Sequence, residues 1–428
     1  MRLFSVKELS DLKEDTEVLL HGCVQETRTT KNLIFVVFRD HTGLAQLTIR
    51  RDSWNGIEVD NIPRESAISV SGTFMVHGKS KTGPEISPSK ITILNIAGSP
   101  LPLAVSDPVN SDIETRLNNR FLDLRKREVG IIFRVESDLL WGIRKHMSQN
   151  GFTEVHTPKI VGTSTEGGSD LFAVRYFEKE AFLNQSPQLY KEILVSSGVN
   201  RVFEVGPAFR AEKHNTVRHL NEFTSIDIEM AFSDHNDAMV MLENAVRSGI
   251  LEVSAGEREV KEALGVEVKV PEVPFPRITF EECVDYLSSK GMAHRDGEDF
   301  SPDELRIIGE RFTGFYFITR WPASLRPFYT MPDPDDSNYT NSFDLQFREN
   351  EITSGAQRVH DPEMLRNRFL AKGLNPDDFS FYLEAFRYGM PPHAGWGLGL
   401  ERLTMIVLGL KNIREATVFP RDRNRISP

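Results

Sequence analysis

The chain has 428 residues, 51 of them basic and 62 acidic, and its formal net charge is −11 at pH 7. This length predicts two or three domains, and the composition, with 39% hydrophobic and 26% charged residues, is typical of a soluble globular protein. The apolar runs are too short to span a bilayer, and the N-terminus lacks the apolar core of a signal peptide, so no membrane association is expected. Cys23 and Cys283 match no metal-binding spacing, which favours a reducing, cytoplasmic setting.

Five strand-like segments fill residues 16–97: TEVLLHGCVQE, NLIFVVFRD, LAQLTIRR, SAISVSGTFMV and KITILNIA. Their number and shortness, without a long helical pattern, predict a small closed barrel of the OB type. That fold most often binds nucleic acid, although a fold alone does not establish a function. The first hundred residues carry equal numbers of basic and acidic side chains, so the whole negative excess lies further along. This asymmetry weakly favours a polyanionic partner for the barrel.

A connector follows the barrel at AGSPLPLAVSDP, residues 97–108, where three prolines and a glycine predict an extended linker. Residues 125–151 have the spacing of an amphipathic helix that ends at Asn150 and Gly151. Strand-like and helical runs alternate from Phe152 onward. Residues 232–330 indicate helices and one short strand, GFYFITR.

The segment FRAEKHNTVRHLNEF, residues 209–223, is cationic within an acidic chain, and it joins two strand-like runs as a predicted hairpin loop. Arg210 directly follows the first run, where its guanidinium can grip a phosphate with two hydrogen bonds. Arg218 and His219 offer further donors, and Phe223 opens the return strand, where its ring can stack on a base. Since the sequence has no Walker-type glycine loop, these residues predict an ATP site; a solvated polar loop is the alternative.

The segments STEGGSDLF, residues 164–172, and SPQLYKEI, residues 186–193, form a second candidate group. Gln188 and Lys191 are three residues apart and therefore share one face of a helix. Glu166 precedes two glycines, which indicates a mobile loop whose acid can close on an ammonium group. Taken alone, residues 186–193 are equally compatible with an exposed amphipathic turn.

The segment ENEITSGAQRVH, residues 349–360, contains oxygen ligands at a spacing that suits a hard cation. Glu351 and Ser354 are three residues apart, and Asp344 lies a little upstream in NSFDLQF. Proteins usually hold Mg²⁺ with one or two oxygens and leave the remaining positions to phosphate and water. Arg358 follows on a segment in which Gly355 permits close approach. Most isolated pairs with this spacing bind nothing.

Glycines alternate along an apolar run in GWGLGLERLTMIVLGL, residues 395–410, before a helix that carries Arg402. Glycine in a strand lets a ligand approach the backbone closely. A tightly packed corner between a strand and a helix is an equally good interpretation of this segment alone.

Three signatures in order resemble class II aminoacyl-tRNA synthetases, and specifically the archaeal/eukaryotic-type aspartyl-tRNA synthetases. GFTEVHTPKI (151–160) resembles motif 1, FRAE followed by RHLNEFT resembles motif 2, and GLGLERL (397–403) resembles motif 3. QSPQLYK and PPHAGWGLGLERL narrow the match to the aspartate branch. The resemblance implies an α+β chain with an all-β OB-fold anticodon-binding barrel over 1–102, a linker over 103–128, and a class II catalytic domain over 129–428. That domain would be an antiparallel sheet flanked by helices, with 232–330 as a variable insertion.

The resemblance also implies an AMP-forming aspartate–tRNA ligase. The α-carboxylate of L-aspartate attacks the α-phosphorus of ATP, pyrophosphate leaves, and the aspartyl group then passes to the 3′-terminal ribose of tRNA(Asp). No step needs a nucleophilic serine or cysteine, so a site rich in arginine, lysine and Mg²⁺ agrees with this chemistry. The family pattern further implies a cytoplasmic homodimer with Pro158 at its interface.

Residue roles follow from the motifs. The implied catalytic residues are Arg210 and Arg402. The implied ATP-binding residues are Arg210, Glu212, Arg218, His219, Leu220, Phe223, Glu351, Gly399, Leu400, Glu401 and Arg402. The implied aspartate-binding residues are Glu166, Gln188, Lys191, Arg210, Ser354 and Arg358. The implied Mg²⁺ ligands are Glu351 and Ser354, supported by Asp344.

In this scheme Arg210 binds the α-phosphate, and the adenine ring lies between Phe223 and Arg402. Lys191 and Arg358 clasp the side-chain carboxylate of aspartate. An asparagine amide would present donors to these two cations and leave them unpaired, at a cost of about 1.5–3 kcal/mol for each lost charge-assisted bond.

On the barrel, Phe35, Gln46 and Glu85 match the family's anticodon-reading positions, and Phe35 would stack on a base; a barrel-core phenylalanine is its alternative interpretation. Gln25 stands where discriminating archaeal members carry tryptophan, whereas Lys81 matches their pattern. Gln25 therefore favours a non-discriminating enzyme and Lys81 a discriminating one, so tRNA(Asn) stays open as a second substrate.

Two other functions are alternatives to this ligase. A stand-alone adenylate-forming paralogue of the asparagine synthetase type usually lacks the N-terminal barrel. A non-catalytic tRNA-binding paralogue would be expected to have lost Arg210, Glu351 and Arg402, which are all present.

Overall fold

The computed structural model describes residues 2–75, 80, 82–106, 111–163, 171–213 and 216–428. The chain divides into two compact units, Met1–Leu122 and Asp123–Pro428. The division falls within the predicted linker 103–128, and the domain limits 1–102 and 129–428 stay predictions. Among the described residues, no helix combines the length and apolar character needed to cross a membrane.

The first unit contains the closed five-stranded barrel that the sequence predicts. Its strands are β1 (Glu17–Thr29), β2 (Leu33–Arg39), β3 (Leu44–Arg50), β4 (Ala67–Met75) and β5 (Glu85–Asn95), in the order β1-β2-β3-β5-β4. β3 and β5 run parallel, and the other neighbouring strands are antiparallel. Burial alternates along β4, because successive residues of a strand point to opposite faces and one face forms the barrel core.

The helices include those predicted over 125–151 and around Arg402. They are α1 (Ile113–Asn118), α2 (Arg120–Asp123), α3 (Arg127–Gln149), α4 (Gln188–Ser196), α5 (His235–Ser254), α6 (Glu257–Leu264), α7 (Phe280–Ser289), α8 (Pro302–Gly309), α9 (Pro362–Ala371), α10 (Ser380–Phe386) and α11 (Leu400–Val407). The helix predicted over 125–151 is α3, and Gly151 follows it with a φ of 75°, a conformation that glycine adopts without strain.

An eight-stranded sheet forms the centre of the second unit. The strands of this unit are β6 (Thr153–Glu154), β7 (Ile160–Val161), β8 (Ala173–Tyr176), β9 (Lys179–Leu183), β10 (Arg201–Phe209), β11 (Glu222–Ala231), β12 (Arg277–Thr279), β13 (Phe315–Thr319), β14 (Ser342–Phe347), β15 (Asn350–Gln357) and β16 (His393–Gly399). The central order is β12-β13-β14-β15-β16-β11-β10-β6, and β7, β9 and β8 form a smaller sheet. Only the outermost pairs, β12 with β13 and β10 with β6, are parallel among the described strands of the central sheet.

Residues 232–330, which the sequence suggested to be a variable insertion, belong to the framework of this domain. Apolar residues of α3 and α5 share the main hydrophobic core. The two helices approach so closely that a side chain at Gly142 would collide with the backbone of Ser248 and Gly249. β12 and β13 extend the central sheet. Its apolar faces thus complete the core and the sheet, and its variability within the family stays a prediction.

Candidate active site

A cavity of about 360 Å³ lies over the middle strands of the central sheet. It is lined by the hairpin of β10 and β11, by β15 and β16, and by the start of α11. The predicted residues that line it are Gln188, Arg210, Glu212, Arg218, His219, Leu220, Phe223, Glu351, Ser354, Arg358, Gly399, Glu401 and Arg402. Residues separated by more than two hundred positions thus meet at one site, although their individual roles stay predictions.

The hairpin predicted around residues 209–223 is present. β10 and β11 pair without interruption from Arg201 opposite Met230 to Phe209 opposite Glu222. The guanidinium of Arg210 lies 5.4 Å from the centre of the Phe223 ring, so the cation and the aromatic group adjoin in the cavity. This is the juxtaposition that a phosphate next to a stacked base requires.

Two predicted phosphate-binding residues at the cavity rim have carboxylate partners. Nη2 of Arg218 lies 3.4 Å from Oε1 of Glu349, and Nε2 of His219 lies 3.6 Å from Oε2 of Glu212. Both pairs are partly exposed, so each is weak and salt-sensitive. A bound phosphate would therefore compete with these carboxylates for Arg218 and His219.

The residues around motif 3 divide between the cavity and the core. Arg402 donates from Nη1 to the carbonyl oxygen of Glu351 at 2.8 Å, which ties α11 to β15. Glu401 accepts from the backbone N–H of Thr224 at 2.8 Å, and its burial raises the pKa of this carboxyl to about 7. The side chain of Leu400 packs in the main hydrophobic core, so any contact of this residue with nucleotide would have to come from its backbone.

The predicted metal-binding oxygens lie on neighbouring strands. Ser354 donates to Oε1 of Glu351 at 3.0 Å, and it pairs with Asp344 across β14 and β15. Asp344 accepts from Nη2 of Arg326 at 2.6 Å, while its buried Oδ1 has no hydrogen-bond partner among the residues that the structure describes. Burial raises the pKa of Asp344 to about 7, although the Arg326 charge opposes this. Among the described residues no group of three or more His, Cys, Asp or Glu side chains could hold a metal. Glu351 and Ser354 supply only oxygen donors, which fit a Mg²⁺ ion completed by phosphate and water.

Arg358 lines the cavity, whereas Lys191 does not and pairs instead with the lining residue Asp227; each cation has a buried carboxylate partner. Nζ of Lys191 lies 3.0 Å from Oδ1 of Asp227, and Nε of Arg358 lies 3.2 Å from Oε1 of Glu229. The two cationic side chains are only 3% and 4% exposed. The carboxylates of Glu229 and Glu192 hold the pKa of Arg358 above its usual value, against the effect of burial.

Sequence reasoning missed Asp227 and Glu229. Both lie on β11 within the apolar run TSIDIEMAF, two residues apart, and strand residues two apart point to the same face. Two acids on one face of an apolar strand were therefore a visible signal of a buried charged site. Arg326 and Tyr329 also line the cavity and were not singled out.

Residues 112–423 match the family model described as tRNA synthetases class II (D, K and N). The chain belongs to this family. Residues 18–94 of the synthetase match a second model, described as an OB-fold nucleic acid binding domain. The predicted family and fold class are thus confirmed.

Curated relatives cover almost the whole synthetase. It is 61% identical over 423 residues to a protein of Thermoplasma acidophilum named aspartate–tRNA(Asp) ligase, with 99% of each chain covered. It is 49% identical over 431 residues, with full coverage of both chains, to a protein of Archaeoglobus fulgidus named aspartate–tRNA(Asp/Asn) ligase. The crystal structure of asparaginyl-tRNA synthetase from Pyrococcus horikoshii complexed with asparaginyl-adenylate superposes with a TM-score of 0.91 at 32% identity, covering 97% of each chain. The fold alone therefore does not separate the aspartate and asparagine branches.

The barrel of the synthetase brings three predicted anticodon positions onto one polar surface. Phe35 pairs with Thr48 across β2 and β3, and Gln46 pairs with Glu85 across β3 and β5. Thr48 donates to Glu85 at 2.5 Å and lies 3.3 Å from the amide nitrogen of Gln46. Phe35 is half-buried and lies outside the barrel core, so the alternative interpretation as a core phenylalanine is wrong.

The remaining predicted positions concern the anticodon, the dimer interface and the predicted mobile loop. Gln25 occupies a bulge between Val24 and Glu26, and its side-chain oxygen lies 3.4 Å from Nη1 of Arg39. Pro158 is exposed, and its interface role stays a prediction. Glu166 and Lys81 lie outside the described residues.

Proposed function

We propose that the chain is an aspartate–tRNA ligase. It forms aspartyl-adenylate and pyrophosphate from L-aspartate and ATP, and it then transfers the aspartyl group to the 3′-terminal ribose of tRNA(Asp). The observation that carries the proposal is the cavity that Arg210, Phe223, Arg402 and the buried Arg358 line together, with the buried Lys191 paired to the lining residue Asp227. The relatives named aspartate–tRNA ligase, which match along nearly the entire chain, support it.

On the nucleotide side, the chain acts by positioning and by neutralising charge. Arg210 follows β10 directly and is proposed to hold the α-phosphate, while Arg218 and His219 at the rim take the γ-phosphate. Phe223 and Arg402 enclose the adenine ring. None of these residues has to move a proton, because the attacking carboxylate of aspartate is already ionised at neutral pH.

Glu351 and Ser354, with Asp344 behind them, are proposed to hold Mg²⁺. When bound, the ion would neutralise charge on the phosphates as pyrophosphate leaves. The hydrogen bond of 3.0 Å between Ser354 and Glu351 supports this assignment, since the two oxygens are close enough to share one cation. Arg326 stays paired with Asp344 at 2.6 Å and limits the negative charge at that position.

Selection of aspartate over asparagine is assigned to Lys191 and Arg358. In the structure their charges are matched by Asp227 and Glu229, so a buried network of paired charges adjoins the cavity through Asp227 and Arg358. A substrate carboxylate adds an acceptor for both cations. An amide adds donors that face other donors, and a buried donor without an acceptor costs about 1–3 kcal/mol or more. We infer that Gln188 and Asp227, which both line the cavity, accept from the substrate ammonium group.

The barrel is proposed to bind the anticodon through Phe35, Gln46 and Glu85. Charging of tRNA(Asn) is a second candidate function, and the relative named for both tRNAs favours it. The relative named for tRNA(Asp) alone is the more similar of the two, so tRNA(Asp) is the substrate proposed here. A homodimer that uses Pro158 is part of the same proposal, and sedimentation velocity of the whole chain tests it.

The deciding experiment is ATP–pyrophosphate exchange with aspartate and with asparagine, followed by charging of purified tRNA(Asp) and tRNA(Asn). We expect exchange with aspartate alone and charging of tRNA(Asp). Exchange without charging of either tRNA would favour a stand-alone adenylate-forming enzyme, and absence of exchange would favour a non-catalytic tRNA-binding protein. Comparable charging of both tRNAs would indicate that the enzyme does not discriminate between tRNA(Asp) and tRNA(Asn).

A further inference from the structure

A fully buried carboxylate, Glu192, lies beneath the aspartate end of the cavity and has no part in the proposed chemistry. Its two oxygens have different partners. Oε1 accepts from Nε2 of Gln188 at 2.6 Å. Oε2 accepts from the hydroxyl of Tyr382 at 2.8 Å and faces Nε2 of His393 at 3.0 Å. One oxygen therefore touches a cavity residue, and the other anchors α4 to α10 and β16.

The contact with Glu192 fixes which end of the Gln188 amide faces the cavity. A carboxylate oxygen only accepts hydrogen bonds, so the amide atom next to it must be the nitrogen. The amide oxygen then points away from Glu192, on a side chain that lines the cavity. An amide in the opposite orientation would present its NH₂ group to a substrate ammonium, which is also a donor.

His393 keeps Glu192 in the ionised form that this orientation needs. Nδ1 of His393 lies 2.8 Å from the carbonyl oxygen of Pro391, and Nε2 faces Glu192, so both ring nitrogens meet acceptors and both carry protons. Burial opposes the imidazolium, but the bond to Glu192 raises the pKa of His393. In turn, burial favours the neutral carboxyl, but His393 holds the pKa of Glu192 below its usual value. A protonated Glu192 could instead donate to the Gln188 oxygen and reverse the amide.

We propose that Glu192 is a positioning residue that holds the carboxamide of Gln188 with its oxygen toward the substrate ammonium group. The proposal rests on the proposed function, in which Gln188 binds that ammonium. Glu192 itself touches no substrate. Glu192 contributes to binding by excluding the orientation in which the Gln188 NH₂ group faces the substrate. Loss of Glu192 should therefore weaken only ligands that carry the amine.

The test compares aspartate with succinate, which has both carboxylates but lacks the amine. In aspartate-dependent pyrophosphate exchange, Glu192→Leu should raise the KM for aspartate at least about tenfold, the size of one hydrogen bond to a charged group. The inhibition constant of succinate and the KM for ATP should change less than about twofold, because neither depends on an ammonium contact. Equal losses for aspartate and succinate would overturn the proposal, since they would mean that Glu192 only maintains the shape of the pocket.

Two control variants distinguish a positioning role of Glu192 from a purely structural role. Glu192→Gln keeps an acceptor oxygen for Gln188 and should restore the aspartate KM to within about threefold of wild type. Tyr382→Phe removes a bond to the other oxygen, so it should lower the Tm and leave the aspartate KM unchanged. If Glu192→Leu does not fold, Glu192→Ser serves in its place, because a serine hydroxyl is too short to reach Gln188. A larger rise in the aspartate KM for Tyr382→Phe than for Glu192→Leu or Glu192→Ser would contradict the inference.

Gln188→Ala distinguishes failure of this inference from failure of the proposed function. It should raise the aspartate KM as much as Glu192→Leu, and the double variant should add little, since the two residues act as one unit. If Gln188→Ala raises the aspartate KM and Glu192→Leu does not, only the positioning role of Glu192 is refuted. An unaltered aspartate KM in Gln188→Ala overturns the ammonium role of Gln188 together with the inference. Wild-type exchange with aspartate tests the function itself.

Discussion

Nζ of Lys191 lies 3.0 Å from Oδ1 of Asp227, and both side chains are almost completely buried, with Asp227 lining the cavity. Removing one partner of a buried ion pair leaves the other charge uncompensated, which costs about 3–5 kcal/mol. Lys191 therefore has two roles: it is the proposed ligand of the substrate carboxylate, and it balances the charge of Asp227. Substitutions here will change stability as well as binding, and experiments have to measure both.

Lys191→Leu should abolish aspartate-dependent pyrophosphate exchange while ATP still binds. The leucine removes the proposed partner of the substrate carboxylate, and it should also lower the Tm, because Asp227 then lacks its cation. Equilibrium dialysis with ATP and calorimetry of the same sample measure the two effects. Lys261→Leu is the control, since Lys261 forms an exposed pair with Glu267 at 2.6 Å and such pairs contribute about 0–1 kcal/mol. An unchanged exchange rate in Lys191→Leu would refute the assignment.

Phe223→Ala should weaken ATP binding and leave aspartate binding nearly unchanged. Stacking of a base on an aromatic ring contributes about 1–3 kcal/mol, so the KM for ATP should rise roughly 5- to 150-fold. Phe223→Tyr keeps the ring and should stay within about threefold of wild type. Pyrophosphate exchange at varied ATP measures this, and an equal loss in both variants would contradict stacking as the cause.

Glu351→Gln should raise the Mg²⁺ concentration needed for half-maximal exchange at least about tenfold, because the amide removes an anionic ligand for a hard cation. Titration of Mg²⁺ at saturating ATP and aspartate measures the change. Glu349→Gln is the matched control: Glu349 is two residues away and lies 3.4 Å from Arg218 at the cavity rim. If the two variants require the same Mg²⁺ concentration, Glu351 is not a ligand.

Phe35→Ala should reduce kcat/KM for charging of tRNA(Asp) roughly 5- to 150-fold, the size of one lost stacking contact. Pyrophosphate exchange should be unchanged, since it involves only aspartate and ATP. Phe35 lies outside the barrel core, so the Tm should change little. Phe38→Ala provides the contrast: Phe38 is fully buried in that core, and its loss should destabilise the chain by about 3–5 kcal/mol. A large fall in Tm for Phe35→Ala would indicate a structural role.

Glu136→Gln should stabilise the chain increasingly as the pH rises from 5 to 8. Burial, together with the charge of Glu401, raises the pKa of Glu136 from 4.5 to about 8. The folded state thus binds this proton more tightly than the unfolded state does, so the stability that the protonated form contributes is lost as the pH rises through this window. The Tm difference from wild type should grow by on the order of 2 °C. Glu128→Gln, at an exposed position on the same helix, is the matched control.

Most elements could be predicted because the forces that select them act locally. The strand β4 alternates inward and outward residues, and α3 repeats its apolar face at helical spacing, so each pattern is visible within a few residues. The hairpin at Phe209–Phe223 was predictable for the same reason. The integral place of residues 232–330 was not, since only packing of α5 on α3 shows that this segment completes the core.

The sequence by itself determined the barrel, the motif residues and their gathering into one candidate site. Only the tertiary structure decided which charges neutralise one another: Asp227 for Lys191, Glu229 for Arg358, and His393 for Glu192 across 201 positions. Local patterns cannot reveal these pairs, because desolvation makes a buried charge depend on whichever opposite charge the fold brings within about 3–4 Å. That partner comes from another strand or helix, at a distance along the chain that no periodicity records.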